Sequence, residues 1–288
     1  MNMPRTIYLD TTLWNKLFDH AVDPAALTHS LKVRGWALAI SPQLLYEFGK
    51  SFHGKRIESR KKAMPLFSYL EQYLDFPLLC VKQVPDLLRE EVKVAAGLFP
   101  KVEAFYQGID RDRMTDEIRQ LAAGQVHPRF DSLLKFRSDQ VSDFREYVRL
   151  STARGSANVT LECFMQNGLR QFGRSALEQH ISRVIPGLAP REVKRSARKA
   201  LSSRRFRLSH ALVRADLYLN WLRSQGKVVR RDTLDDCYHI ENAAYCDAYA
   251  TDDFRQQLYA DKILTETVVR IHDRTVPLPD WLTSQAIQ

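Results

Sequence analysis

Asp10, Glu47, Asp236 and the pair Asp252–Asp253 share one placement in the chain. Each lies at the C-terminal end of a short apolar run or in the early turns of a helical pattern beside one. Asp10 closes the run "TIYLD", and Glu47 sits in "SPQLLYEF". Asp236 lies near the start of "TLDDCYHIENAAY", and Asp252 and Asp253 follow "AYAT". Carboxylates gathered within a few ångströms repel one another and stay ionised together only around a cation. A set of oxygen donors suits Mg²⁺ or Mn²⁺, which keep several waters and also contact phosphate oxygens. Such an ion activates a water, orients it for in-line attack and steadies the leaving oxygen, which is the chemistry of phosphodiester hydrolysis.

Each acid also has a structural use. Asp10 can cap the helix that follows it. Glu47 can be a solvated helix residue. Asp236, three residues after Thr233, comes close to a capping box. Asp252 and Asp253 can serve a turn. Asp235 competes with Asp236, and Asp252 with Asp253. Helical spacing favours Asp236, which shares a face with Ile240, Ala243 and Ala244. His239 lies one turn from Asp236 and has a packing role as its ordinary alternative.

The elements that must position these residues are legible as alternating patterns. Strands are expected at Thr6–Asp10, Trp36–Ile40, Phe76–Val81, Ala248–Thr251 and Thr267–His272. Helices follow the first two, with Ser41 as a plausible N-cap and Pro42 at the first helical position. Strand, helix, strand, helix implies an α/β fold with a parallel sheet. In such a sheet the strand C-termini share one edge, so residues more than two hundred positions apart can meet there. From about residue 86 to 225 the patterns are helical, and Gly226 is a sensible stop for the last of them. The sheet-forming segments therefore lie at the two ends of the chain, with a helical block between them.

Inside that block, residues 191–207 carry eight Lys or Arg and one Glu. Val193, Ala197, Ala200 and Leu201 form an apolar stripe that leaves Arg191, Lys194, Arg195 and Arg198 on the outer face, with Lys199, Arg204, Arg205 and Arg207 completing the cluster. A cationic helix of this kind can track a phosphate backbone without reading bases. A second cluster, "GKRIESRKK", spans residues 54–62. The net charge of +9 and pI near 9.4 agree with an anionic partner. Cys80, Cys163, Cys237 and Cys246 form no CxxC or Cys/His group, so no zinc site of ordinary spacing is expected and the thiols read as reduced. No apolar stretch is long enough to span a bilayer and no secretory pattern follows Arg5, so a cytoplasmic protein with no membrane partner is expected.

The ordered set "YLDTT", "SPQLLYEF", "DDCYHIENAAYCD" and "YATDDF" resembles the PIN-domain nucleases, over roughly residues 1–90 and 230–275. The "YCDAYATDD" element is most similar to bacterial members. The resemblance implies a PIN-like nuclease domain made of residues 1–90 plus 230–288, interrupted by a helical insertion over 91–229. It implies Asp10, Glu47, Asp236 and Asp253 as metal-binding, catalytic acids, with Asp252 assisting at the metal. Thr12 and Thr251 are then hydroxyl neighbours, and His239 a supporting residue. The implied activity is a metal-dependent endoribonuclease acting on RNA ahead of DNA, with a non-catalytic nucleic-acid or protein binding module as the alternative. A homo-oligomer and an inhibitory antitoxin-like partner stay open.

Overall fold

A computed structural model describes residues 4–50, 57–125, 159–227, 229 and 231–284, with only the backbone for 57–62, 231 and 232. Among the described residues five strands form one sheet: β1 (Arg5–Leu9), β2 (Trp36–Ile40), β3 (Leu79–Cys80), β4 (Ala248–Thr251) and β5 (Val268–Ile271). Their order is β3-β2-β1-β4-β5, and every pairing is parallel. The expected α/β class and the strands at both chain ends are present. The expected third strand shrinks to two residues, with Pro77, which has no N–H for a ladder, left outside it.

Parallel strands need helical crossovers, which cover both faces of the sheet and require both faces to be apolar. The first face takes Ile7, Leu9, Leu38, Ile40, Ala248 and Ala250. Against it pack α1 (Thr11–Asp19), α2 (Pro24–Val33), α3 (Pro42–Gly49), α4 (Ile57–Glu71), α6 (Ile109–Ala122) and α13 (Leu278–Thr283). The second face takes Tyr8, Ala39 and Tyr249. It is covered through α5 (Val84–Ala96), α7 (Leu161–Gln171), α8 (Gly173–Val184), α9 (Pro190–Leu201), α10 (Arg207–Ser224), α11 (Arg231–Asn242) and α12 (Phe254–Ile263). The helices of 161–224 thus share one core with the sheet.

Two local devices fix the sheet edge and the longest helix. Ser41 precedes Pro42 at the start of α3 but makes no side-chain cap; its Oγ lies 2.7 Å from the Tyr8 hydroxyl, which draws it into the sheet edge. The N-terminus of α10 is capped from α5, 117 residues away. The buried Glu91 carboxylate accepts from Leu208 N at 2.8 Å, Ser209 N at 2.9 Å, the Ser209 hydroxyl at 2.5 Å and the Tyr245 hydroxyl at 2.6 Å. Those bonds satisfy two of the orphan N–H groups of the helix and tie α5, α10 and the segment entering β4 together. On α9 the cations Arg191, Lys194, Arg195, Arg198 and Lys199 are exposed, while Val193, Ala197 and Ala200 are buried.

Burial pushes Glu91 up to about 7, against the pull of its donors. Between about pH 4.5 and 7 the folded protein keeps a proton that the unfolded chain has released, so stability falls as pH rises through that window. The loss is on the order of 3 kcal/mol. Urea titrations across this range should show a steeper fall for the wild type than for Glu91→Gln, in which the other raised acids, Asp10 and Asp236, still contribute; equal slopes would rule the assignment out.

Candidate active site

The strand order reverses between β1 and β4, and ligands of open parallel sheets bind outside the strand C-termini at such a reversal. Asp10 leaves β1 at this point. Its N–H donates to Ala250 O at 3.0 Å, which extends the β1–β4 pairing by one residue. The side chain is fully buried. One oxygen accepts from Leu13 N at 2.8 Å, capping α1, and the other accepts from the Thr251 hydroxyl at 2.7 Å. The capping role and the placement beside β4 therefore coexist. Burial still raises the Asp10 pKa to about 6, because two hydrogen bonds do not replace full hydration and Glu47 is a further negative charge.

Glu47 projects from α3 toward His239 of α11. The Thr11 hydroxyl donates to Glu47 Oε2 at 2.6 Å, and His239 Nε2 lies 3.2 Å from Oε1 and 3.0 Å from the Thr11 oxygen. His239 Nδ1 lies 2.9 Å from the Tyr8 hydroxyl, which in turn meets Ser41. Burial alone would raise Glu47, but the imidazolium of His239, with Lys50 and Thr11, brings it down to about 2. Burial likewise disfavours a charged His239, and the Glu47 carboxylate outweighs that and raises its pKa. The two form a buried ion pair with a consistent hydrogen-bond direction: Nδ1–H to Tyr8, Tyr8 O–H to Ser41, and Nε2–H to Glu47 and Thr11.

Asp236 sits in the second turn of α11, because the helix begins at Arg231 and not near Thr233; the capping-box reading of Asp236 is thereby removed. Gln256 Nε2 donates to Asp236 Oδ1 at 2.6 Å, while Gln256 Oε1 accepts from the Tyr249 hydroxyl at 2.8 Å. Burial raises Asp236 to about 7, and the charges of Glu47 and Asp253 add to that. Asp235 is the more buried of the neighbours and pairs with Lys50 at 3.4 Å.

The remaining expected residues divide. Thr251 touches Asp10. Asp253 is exposed and caps α12 by accepting from Arg255 N at 2.7 Å, close enough to Asp236 to act on its charge. Asp252 meets Lys16 at 2.6 Å and Arg274 at 3.1 Å, which hold its pKa low against burial, and His272 lies 3.3 Å away. Thr12 is exposed on α1, and the hydroxyl that reaches the acids is that of Thr11. Sequence reasoning passed over Thr11, Tyr8, Ser41 and Gln256. Thr11 follows Asp10 directly and was within reach of that reasoning; the other three depend on strand register and helix docking.

Asp10, Glu47, Asp236 and His239 thus act on one another's charge at a single sheet edge. Among the described residues no three His, Cys, Asp or Glu side chains stand arranged to hold a metal ion. By donor type alone, three carboxylates from separate elements are what a hard cation takes, and two of them are raised by burial and by the charge of Glu47. No family model, curated protein or solved structure matches the chain.

Removing one partner of the buried pair strands the other. His239→Ala should cost about 3–5 kcal/mol in urea unfolding, and adding Glu47→Gln should recover a large part of it. Losses that simply add would show that the two side chains do not form the pair.

Proposed function

We propose that this protein is a divalent-metal-dependent nuclease, an endoribonuclease of the type of the PIN-domain enzymes it resembles. What supports the reading is that Asp10 and Asp236, drawn from opposite ends of the chain, both feel the charge of Glu47 near the reversal point of a parallel sheet. Asp10, Glu47 and Asp236 would hold Mg²⁺ or Mn²⁺, which when bound activates water and stabilises charge on the leaving oxygen.

The surrounding side chains have defined work in this scheme. Thr251 and the α1 N-terminus fix the rotamer of Asp10, and Thr11 with His239 fixes Glu47. Gln256 holds Oδ1 of Asp236 and so fixes the rotamer of that carboxylate. The exposed cations of α9 would hold the phosphate backbone without base preference. RNA is the favoured substrate.

One observation favours a second reading. The oxygens of Asp10 and Glu47 all have partners within the chain, as a scaffold that only binds nucleic acid or protein would require. Asp10→Asn separates the two. The amide keeps an acceptor for Leu13 N, so stability should change by no more than about 1 kcal/mol. Cleavage of a labelled single-stranded RNA in Mg²⁺ or Mn²⁺ should fall by about 100-fold or more while RNA binding persists. A folded wild type that cuts neither RNA nor single-stranded DNA with either ion would overturn the nuclease reading.

A further inference from the structure

Arg205 and Arg207 do not line the acid cluster. They line a cavity of about 510 Å³ at the opposite edge of the sheet, where β1 begins at Arg5 and the chain enters β4 through Tyr245 and Asp247. Five residues of β1 separate the two edges, about 15 Å at the usual rise of a strand. The cavity volume is that of a small-molecule site. Arg5 and Lys101 join the two arginines around it, and Phe105 and Tyr245 supply aromatic walls.

The acids in the lining have partners. Asp247 Oδ2 accepts from Thr6 N at 2.7 Å and from the Thr6 hydroxyl at 3.0 Å. Glu103 pairs with Lys101 at 3.0 Å. Asp247 keeps its charge but turns Oδ2 to Thr6, while Arg205 and Arg207 bring two positive charges to the lining.

The segment that carries the two arginines is held from several sides. Phe206, between them, is fully buried in the core. The Tyr245 hydroxyl, which donates to Glu91, lies 3.1 Å from Arg205 O, and Glu91 accepts from the N–H groups of Leu208 and Ser209. The backbone that presents the guanidinium groups is thus fixed before any ligand arrives, which lowers the entropic cost of binding. The Arg207 guanidinium lies 6.0 Å from the centre of the Tyr245 ring, so a cation and an aromatic face stand side by side at one wall.

We propose that this cavity binds a nucleoside monophosphate group, with Arg205 and Arg207 clamping the phosphate and Tyr245 and Phe105 receiving the base. Planar guanidinium groups match phosphate oxygens in pairs, and aromatic faces accept any base by stacking. The site goes beyond the hydrolase reading and does not rest on it. The group can be a free nucleotide or the phosphorylated end of a strand, and its chemistry is the same.

Calorimetric titration of the full chain with AMP tests this. Saturable binding is expected, weakened about thirtyfold or more by Arg205→Ala with Arg207→Ala, with adenosine binding the wild type no better than AMP binds the double variant. Asp10→Asn should bind AMP as the wild type does, which separates this site from the acid cluster. If the double variant folds poorly, Arg205→Ala alone, an exposed side chain, should weaken AMP about fivefold. Competition by a 5′-phosphorylated tetranucleotide identifies a strand end, and its failure to compete identifies the free nucleotide. No saturable AMP binding, unchanged affinity in the arginine variants, or loss of binding in Asp10→Asn would each overturn the proposal.

Discussion

The pairing of β1 with β4 is the constraint on which the rest of the arrangement depends. These strands lie at opposite ends of the chain, and only their parallel register sets Asp10 beside Thr251, 241 positions away. A fully buried carboxylate at a strand end is tolerable only if its lost hydration is replaced. Here the first turn of α1 and the Thr251 hydroxyl supply that replacement in part. The same hydrogen bonds that make Asp10 tolerable also fix where its oxygens point, so stability and site geometry are one problem solved once.

The acids around it are compensated unequally, and that inequality gives the edge its character. Glu47 is held ionised by His239, with Tyr8 and Ser41 carrying the far side of the imidazole into the sheet. Among the described residues Asp10 and Asp236 form no salt bridge; the charge of His239 lowers both, but burial outweighs it and raises them to about 6 and about 7. Asp252, by contrast, is surrounded by Lys16, Arg274 and His272 and fastens β4 to α1 and to the segment after β5. Four neighbouring acids therefore have different electrostatic lives, set by which helix or strand end faces each one.

The two sheet edges carry different charged groups. Asp10, Glu47, Asp236 and Asp252 lie where the strands end, with Lys16, Lys50 and Arg274 on the acids around them, and Arg5, Arg205 and Arg207 lie with Asp247 where the strands begin. Arg204, which meets Glu266 at 3.8 Å, belongs to this second edge as well, since Glu266 leads into β5. The cations of residues 191–207 thus form two groups, one exposed along α9 and one held at the start of α10. Glu91 is the joint between them and the sheet: a single carboxylate from α5 positions both the long helix and the arginine-bearing turn before it.

The sequence by itself determined the local elements, because period and punctuation are local properties. The run "WALAI" is a strand with every residue buried, Pro42 opens α3, and the stripe Val193, Ala197, Ala200 faces inward from α9. It also marked Asp10, Glu47 and Asp236 as acids at strand ends or helix starts, since parallel strands share an edge. Partners were a different matter. That Thr11 and not Thr12 reaches Glu47, that Ser41 turns to Tyr8 and leaves its helix uncapped, and that Gln256 holds Asp236 depend on helix rotation and docking. The division of the basic segment between a helix face and the far sheet edge was decided in the same way. A cation's neighbours are set by long-range packing, which composition and spacing do not encode, and only the tertiary structure could say which charges meet.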